Sequence, residues 1–351
     1  MSFSAEQGKT SLLDRVGTGQ TVKAYVVGVA FLEEGVLAAA LGDGRVAFIG
    51  SDSVDAPRFV SVNDGACLSL AVDLGGDRVL TGGDDGRLVS TDTAGTASTI
   101  TTISGRWVEL VTVSVASELR AAAFGKTVRL FARDGSEVGT FDHPNTVGGL
   151  AFDPKGRRLA TAHYGGASLW WAKAGGQQPK RLAWSGSHLS LTWSPDGKYI
   201  VTAMQENELH GWRVADGADM RMSGYSAKVK SMSWLPKGRY LATSGAEPVV
   251  CWPFHGKGGP MGKVPLDLGR GVDGVVTVVA AHPRHDVVAA GYEDGATILV
   301  QIDRAHPVLV KQPGEGAVTA LAWSADGQHL ALGTESGFIG RVRLSDWRAP
   351  T

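Results

Sequence analysis

Several features that define large protein classes are scarce in this sequence. Only two cysteines occur among 351 residues, and no apolar run approaches the roughly 18 residues that a membrane-spanning helix needs. Positive and negative charges nearly cancel, with a formal net charge of -1, which disfavours a strongly basic nucleic-acid-binding protein. Because 43% of the residues are hydrophobic, intrinsic disorder is excluded as well. We expect a large globular protein outside the membrane.

The two cysteines and the first residues of the chain bear on the compartment. Cys67 and Cys251 both lie inside apolar segments, with no second cysteine at the spacing of a metal site. We therefore expect two reduced, buried thiols and no disulfide. The segment Met1–Lys9 lacks the apolar core of a signal peptide, and together these features predict a cytoplasmic protein.

Glycine, by contrast, is abundant: the chain has 48, about twice the usual share of roughly 7%. Many of these glycines lie in turns between short apolar segments that recur along the chain. The steps between the last residues of those segments are 41, 41, 39, 41, 41, 47 and 42 residues. The segments are Gly28–Phe31, Leu70–Val72, Leu110–Val113, Gly149–Phe152, Leu191–Trp193, Ser231–Trp234, Val279–Ala281 and Leu321–Trp323.

Each recurring unit has the same internal order of features. The first apolar segment is followed by a turn such as Ser194–Gly197 and by a second strand such as Tyr199–Ala203. A tight turn, often Asp-Gly as at Asp294 and Gly295, leads to a third strand and a weaker fourth one. Four antiparallel strands in about 42 residues cannot bury both faces alone, so we predict an all-β protein in which such units pack radially as the blades of a β-propeller. The repeats predict eight blades, with seven as the alternative count.

The repeat length and the aromatic third strands resemble those of the WD-repeat family of β-propellers. Tryptophans mark the third strands at Trp170, Trp212 and Trp252, and the resemblance extends over about residues 22–345. His143 lies nine residues before Phe152, at the position of that family's histidine. The Trp-Asp and Gly-His pairs that define the family motif are largely lost, so we expect its Asp-His-Ser/Thr-Trp hydrogen-bond network to be missing or eroded. The resemblance implies a protein that binds other proteins through its loops.

The ends of the chain suggest how the repeats are joined. The eighth repeat ends after its third strand, while residues 1–24 precede the first repeat and contain the apolar stretch Ser11–Val16. We predict that this N-terminal segment supplies the outer strand of the last blade and closes the ring, giving one domain over residues 1–351. The longest step indicates a flexible loop inserted at Gly256–Gly262.

No motif indicates catalysis or a bound cofactor. His282 and His285 have a spacing that metal ligands can have, but they fall in a predicted turn, where they share no fixed face. The Gly-rich segment Gly82–Gly86 lacks the lysine and the helix that a phosphate loop needs, and it is interpreted as a hairpin turn. No nucleophile elbow is found. We predict a protein that is not an enzyme and that has neither metal nor cofactor.

In a propeller, the turns between second and third strands lie on the same face as the links that enter each blade, and by family resemblance this face binds partners. Its turns are rich in carboxylates, with aromatic and histidine side chains nearby. The predicted partner-binding residues are Asp43, Asp84, Asp85, Trp107, His143, His163, Tyr164, Glu206, Glu208, Tyr225, Glu247, Tyr292, Glu293, Asp294 and Glu335. An acidic face with aromatic anchors predicts a partner protein with a basic contact surface.

The opposite face carries a second candidate contact site. Its turns in the fourth to sixth repeats form a basic sector consisting of Lys155, Arg157, Arg158, Lys198, Lys237 and Arg239. Asp153 and Asp196 lie among these residues in the sequence.

These features predict a non-enzymatic scaffold, monomeric on its own, that presents rigid loops to a partner protein. Membrane and nucleic-acid partners are not expected. Two alternatives remain open because fold does not determine function: a hydrolase or lyase with a site in the central channel, or a propeller that binds a small ligand or metal. His143, His163 and His188 are the candidate ligands for the latter.

Overall fold

A computed structural model describes residues 10–51, 56–173, 178–256, 258–304 and 306–344. The predictions made for Met1–Lys9, and for Lys257 within the inserted loop, lie outside these residues. The described residues are almost entirely β-structure, with one short α-helix and two short 3-10 turns. The chain packs as two compact units, of which unit 1 comprises described residues before Leu32 and from Val229 onward, and unit 2 comprises those from Leu32 to Lys228.

Unit 2 contains the middle part of the chain and consists of strands joined by short turns. Its strands are β3 (Leu37–Leu41), β4 (Arg45–Ile49), β5 (Arg58–Ser61), β6 (Cys67–Val72), β7 (Arg78–Gly83), β8 (Arg87–Asp92), β9 (Ala97–Thr102), β10 (Leu110–Ser114), β11 (Leu119–Phe124), β12 (Thr127–Phe131), β13 (Glu137–Asp142), β14 (Gly149–Phe152), β15 (Arg158–Trp171), β16 (Lys180–Trp193), β17 (Tyr199–Met204), β18 (Leu209–Arg213) and β19 (Asp219–Met222).

Unit 1 combines the N-terminal elements with the C-terminal third of the chain. Its elements are α1 (Leu12–Val16), β1 (Gly17–Thr21), β2 (Val26–Phe31), β20 (Met232–Trp234), β21 (Tyr240–Thr243), β22 (Val249–Pro253), β23 (Leu266–Leu268), β24 (Val276–Ala281), β25 (Val287–Tyr292), β26 (Thr297–Gln301), β27 (Val308–Lys311), β28 (Val318–Trp323), β29 (His329–Thr334) and β30 (Phe338–Arg343).

All described strand pairs are antiparallel, and in every described sheet except β1-β30-β29-β28 the strands follow one another in chain order, as in β6-β7-β8-β9 and β24-β25-β26-β27. The second and third strands of these sheets are the most buried. In unit 2 every residue of β3 and β11 is buried, whereas most residues of β6 and β10 are half-buried. The apolar residues of the second strand are therefore the ones most completely buried in the cores between neighbouring sheets.

The described strands form seven sheets rather than the predicted eight. Six sheets have four strands, and one has six because the predicted fourth and fifth blades share β16, a strand of 14 residues. β16 pairs with β15 on one side and with β17 on the other, and the left-handed φ of 120° at Gly186 lets its chain bend without ending. Counted as sheets, the blades number seven, which was the alternative prediction.

Within the N-terminal segment 1–24, which was predicted to supply an outer strand, the apolar stretch Ser11–Val16 is not a strand: Leu12–Val16 forms α1. Ser11 caps the helix: its hydroxyl accepts a hydrogen bond from the backbone N–H of Asp14, and the Asp14 carboxylate accepts one from the Ser11 N–H at 3.0 Å. The strand follows at once as β1, which pairs with β30 from Gly17 opposite Val342 to Thr21 opposite Phe338. The capping signal was present in the sequence, since Ser11 lies six residues before Gly17, the first residue of the strand.

Candidate protein-binding surface

Backbone hydrogen bonds in unit 2 tie three turns between second and third strands to the link that enters the next blade. Val108 N–H donates to the carbonyl of Gly83 and Val147 N–H to that of Gly125, both at 2.9 Å. Gln205 N–H donates to the carbonyl of Ser187, which lies in the link that enters its own blade. We call this row of loops the turn-and-link surface of unit 2, defined as turns 41–45, 83–87, 124–127, 163–166 and 204–208 with links 62–66, 103–109, 143–148 and 185–189. These loops are held in fixed positions by the sheet ends that carry them.

Two aromatic side chains project from this surface into solvent. Trp107 is 59% exposed and Tyr164 is 60% exposed. Trp107 precedes Val108, whose complete burial fixes the link below it. Tyr164 lies at an irregularity in the pairing of β15 with β16, two residues before Gly166, whose left-handed φ of 129° an L side chain rarely adopts. Local backbone geometry therefore turns both rings outward.

Two carboxylates of this surface serve the loops themselves. Asp84 accepts a hydrogen bond from the Ala66 N–H, and Asp85 accepts from the N–H of Asp64 at 2.8 Å and from the side chain of Asn63. Burial alone would raise the pKa of Asp85, but these hydrogen bonds outweigh it and hold the pKa below its usual value. Asp84 and Asp85 thus fasten link 62–66 to its neighbouring turn.

The other predicted residues of unit 2 differ in how accessible they are. Asp43 and Glu206 are exposed, although Asp43 forms an ion pair with Arg45 at 2.5 Å. Glu208 is buried and pairs with Arg221 at 2.6 Å, so it is not available on the surface. Tyr225 is half-buried. Two exposed cations, Arg106 and Lys126, lie on the loops of this surface and make it less acidic than predicted.

Unit 1 carries the remaining predicted residues on its own turns. Glu247, Glu293, Asp294 and Glu335 are exposed. Tyr292 is not a surface anchor, because its side chain is completely buried, and burial raises the pKa of its hydroxyl above the usual value. It is the last residue of β25, and the alternation of that strand points it into the core of unit 1.

Two of the predicted surface histidines are buried in unit 2. His143 is 6% exposed; one ring nitrogen lies 2.8 Å from the Thr161 hydroxyl and accepts the indole N–H of Trp170, while the other donates toward the Lys126 carbonyl. His163 lies beside it, 2.9 Å from the Ser168 hydroxyl. A His-Thr-Trp network that we expected to be eroded is therefore present in this blade. Burial lowers the pKa of His143 to about 4.

A second histidine pair lies one blade further along unit 2. His188 is bonded to the Thr202 hydroxyl at 2.7 Å, and burial lowers its pKa. His210 is completely buried and stacks on Trp184 with ring centroids 3.8 Å apart. No cluster of three or more histidine, cysteine or acidic side chains that could hold a metal ion occurs among the described residues. The ring nitrogens of His143, His163 and His188 form hydrogen bonds with nearby hydroxyl groups and backbone carbonyls.

The predicted basic sector is partly neutralised. In unit 2, Arg158 pairs with the buried Asp153 at 3.3 Å and Lys198 pairs with Asp196 at 2.9 Å. Lys155 and Arg157 of unit 2 are exposed, as are Lys237 and Arg239 of unit 1. Lys237 adopts a left-handed φ of 63°, which shows that it serves a tight turn.

Two further predictions concern isolated side chains. His282 lies in a turn: it is buried, and its ring accepts the N–H groups of Arg284 and His285 at 3.0 Å each. Cys67 and Cys251 are free and buried, and burial raises the pKa of both thiols to about 12. Neither cysteine has the low pKa of a reactive thiol.

The sequence reading missed surface residues whose exposure depends on irregular strand pairing. Leu189 is 38% exposed on link 185–189, although it lies inside β16 and reads as part of an apolar strand. The pairing of β16 with β17 slips between His188 and Ser190, which turns Leu189 outward. Asp64, next to Asn63 in link 62–66, has a side chain that is 88% exposed. The only sequence signal for the exposure of Leu189 was that it follows a glycine-containing segment in which polar and apolar residues do not alternate.

Comparison with known proteins supports the fold. No protein-family model matches the sequence, and no curated protein matches it either. Many solved chains match in structure, among them the computationally designed Ika8 protein, with 15% sequence identity and a TM-score of 0.75 over 92% of this chain and 98% of that chain. At this identity the likeness concerns the fold alone. Together with the antiparallel sheets, it shows an all-β β-propeller built mainly of four-stranded blades. No described helix is long and apolar enough to cross a membrane.

Proposed function

We propose that this protein is a non-enzymatic, WD-repeat-like scaffold that binds a partner protein through the turn-and-link surface of unit 2. The observation that carries the proposal is the exposure of Trp107 and Tyr164 on loops that backbone hydrogen bonds hold rigid. Exposed aromatic rings among polar loops are typical of the residues that dominate binding energy at interfaces. Because the loops are already ordered, little conformational entropy is lost when a partner docks.

Several features support the finer parts of this proposal. The pairing of β1 with β30 fits a ring that the N-terminal segment closes. The buried, hydrogen-bonded state of His143 and His163 fits a structural role and argues against their service as catalytic bases. Two free, buried thiols fit a reducing compartment such as the cytoplasm. Glu206 and Asp64, both exposed, favour a partner whose contact surface is basic.

Affinity enrichment with matched variants tests the proposal. We expect a partner protein to be enriched from extracts of the producing cells by the wild-type chain and to be reduced at least tenfold, on the order of 1.4 kcal/mol or more, by Trp107→Ala combined with Tyr164→Ala. Val115→Ala is the control, because Val115 is an equally exposed apolar side chain at the opposite end of β10. A partner that all three proteins retain equally would refute the proposed surface.

A further inference from the structure

The outer strand β9 has an open edge. It is the last strand of the sheet β6-β7-β8-β9, and among the described residues its ladder partner is β8 alone. Ala97, Ser98, Thr99 and Thr102 are exposed along it. The N–H and C=O groups on the outer side of such a strand are available to pair with another extended chain.

β9 also lacks two of the devices that usually prevent this pairing, charge and proline, although its register with β8 shifts between Leu88 and Val89. No charged residue and no proline occurs between Thr93 and Gly105. Besides β9, six strands form the outer end of a sheet, and five of these carry charge, namely Arg58 in β5, Glu137 in β13, Arg221 in β19, Asp267 in β23 and Lys311 in β27. β1 is uncharged too, but α1 packs beside it. The β-branched run Thr99–Thr102 favours an extended chain and leaves this edge the most receptive in unit 2.

A cleft of about 840 Å³ opens beside β9 within unit 2. Ser98, Thr99 and Ile100 of β9 line it together with Arg133 and Gly135. We call this space the β9 cleft. Because the β9 cleft lies beside this strand, side chains of a further strand that pairs with β9 can enter the cleft.

The charges of the β9 cleft are unbalanced. Each of its three arginines already has a carboxylate partner, since Arg78 pairs with Asp92, Arg120 with Asp73 and Arg133 with Glu118. The cleft carboxylates have no such partner: among the described residues, no cation forms an ion pair with Glu33, Asp77 or Asp134. The cleft therefore presents uncompensated negative charge next to a neutral strand edge.

We propose that the β9 edge binds an extended segment of a partner protein, which adds to the sheet as a further strand and places a lysine or arginine in the β9 cleft. Main-chain hydrogen bonds supply the affinity in this mode, and the side-chain pocket supplies the specificity. A second copy of this chain is a poorer occupant, because its own β9 segment has no cation to place opposite Glu33, Asp77 and Asp134. This site is separate from the turn-and-link surface.

A synthetic peptide is the probe for the test. It has seven residues of alternating threonine and valine with one central lysine, capped at both ends and carrying a fluorophore. We expect the wild-type protein to bind it in an anisotropy titration. Glu33→Gln, Asp77→Asn and Asp134→Asn together should weaken binding roughly tenfold. Glu206→Gln removes an exposed carboxylate elsewhere in unit 2 and should leave binding unchanged.

Three results would overturn the proposal. A peptide with N-methylated backbone amides that binds as well as the parent would show that no strand is added. Equal affinity for the peptide with glutamate in place of lysine would show that the cleft charge plays no part. Sedimentation that reveals a dimer dissolved by Thr99→Lys would identify a second copy as the occupant. The variant with Trp107→Ala and Tyr164→Ala should bind the peptide normally, so failure of one surface does not imply failure of the other.

Discussion

Asp73 is the most tightly held charged residue of unit 2. Its carboxylate receives two hydrogen bonds from Arg120, at 2.5 and 3.0 Å, together with bonds from the Ser90 hydroxyl and the Leu74 N–H. Burial alone would raise the pKa of Asp73, but the bonds from Arg120 and Ser90 outweigh it and lower the pKa. The ion pair joins the sheet of β6 to the sheet of β11 and so locks two blades together.

Loss of this carboxylate should therefore be costly. We expect Asp73→Ala to lower the free energy of unfolding by about 4 kcal/mol, because it leaves the Arg120 guanidinium buried without a counter-charge. Chemical denaturation at pH 7 measures the change. Arg133→Ala, which breaks the exposed pair with Glu118, is the control and should cost less than about 1 kcal/mol. Equal costs for the two variants would contradict a special role for the buried pair.

His210 should make the stability of the protein depend on pH. Burial lowers its pKa to about 4, and its nearest carboxylate, that of Asp219, is 3.7 Å away. In the unfolded chain the pKa is about 6.5, so the unfolded state binds a proton between these values while the folded state does not. Stability is therefore full above pH 6.5 and falls as the pH is lowered toward 4, by up to about 3 kcal/mol from this residue.

The variant His210→Phe isolates this contribution. Phenylalanine keeps the stacking on Trp184 and removes the titration, so we expect the loss of stability between pH 6.5 and 4 to shrink. His143, whose pKa is also lowered to about 4, should account for part of the dependence that remains. Denaturation curves at pH 7 and pH 4.5 give the slope for both proteins. An identical slope would show that His210 is not the titrating group.

Sequence patterns predicted which residues lie in turns and loops better than they predicted which of those side chains are exposed. The exposure of Trp107 and Tyr164 agrees with their assignment to loops. Tyr292 and Glu208 follow the same turn pattern yet are buried, since one ends a core strand and the other meets Arg221. Whether a polar side chain at a strand end turns outward depends on tertiary partners, which a single sequence does not contain.

At the scale of elements, the N-terminal helix and strand matter most for unit 1. Leu12 of α1 is 4% exposed and belongs to a core cluster with Val310, Leu330 and Val342. We expect Leu12→Ala to lower the free energy of unfolding by about 3 kcal/mol, because the cavity cannot close fully. Arg15→Ala, an exposed change in the same helix, is the matched control. If Leu12→Ala and Arg15→Ala lower the free energy of unfolding by the same amount, α1 does not anchor β1 to β30.

The sequence was informative about strand existence and less so about strand ends. The repeat steps predicted first, second and third strands in nearly every unit. The capping residues Ser11 and Asp14 marked α1, but the apolar letters between them suggested a strand instead. β15 and β16 run through positions where turns were expected, because Gly166 and Gly186 bend the chain without interrupting its pairing. Glycine permits either a turn or a bend, and only packing decides between them.

Across the whole molecule, one β-propeller fold carries two candidate binding sites, the turn-and-link surface and the β9 edge with its cleft. A near-zero net charge disfavoured a nucleic-acid partner, yet in the β9 cleft exposed carboxylates without an ion-pair partner among the described residues lie beside arginines that already have one. That the chain folds as a single domain stays a prediction. The β-propeller itself was predictable because a repeat of about 42 residues constrains the fold without any family motif.

The central claim is that Trp107 and Tyr164 contact a partner protein. Photo-crosslinking tests it most directly: benzoylphenylalanine replaces Trp107 in one protein and Val115 in another, and both are irradiated in extracts of the producing cells. We predict a discrete crosslinked protein at position 107, and none at position 115, which lies at the opposite end of β10. No adduct at position 107, or the same adducts at both positions, would contradict it.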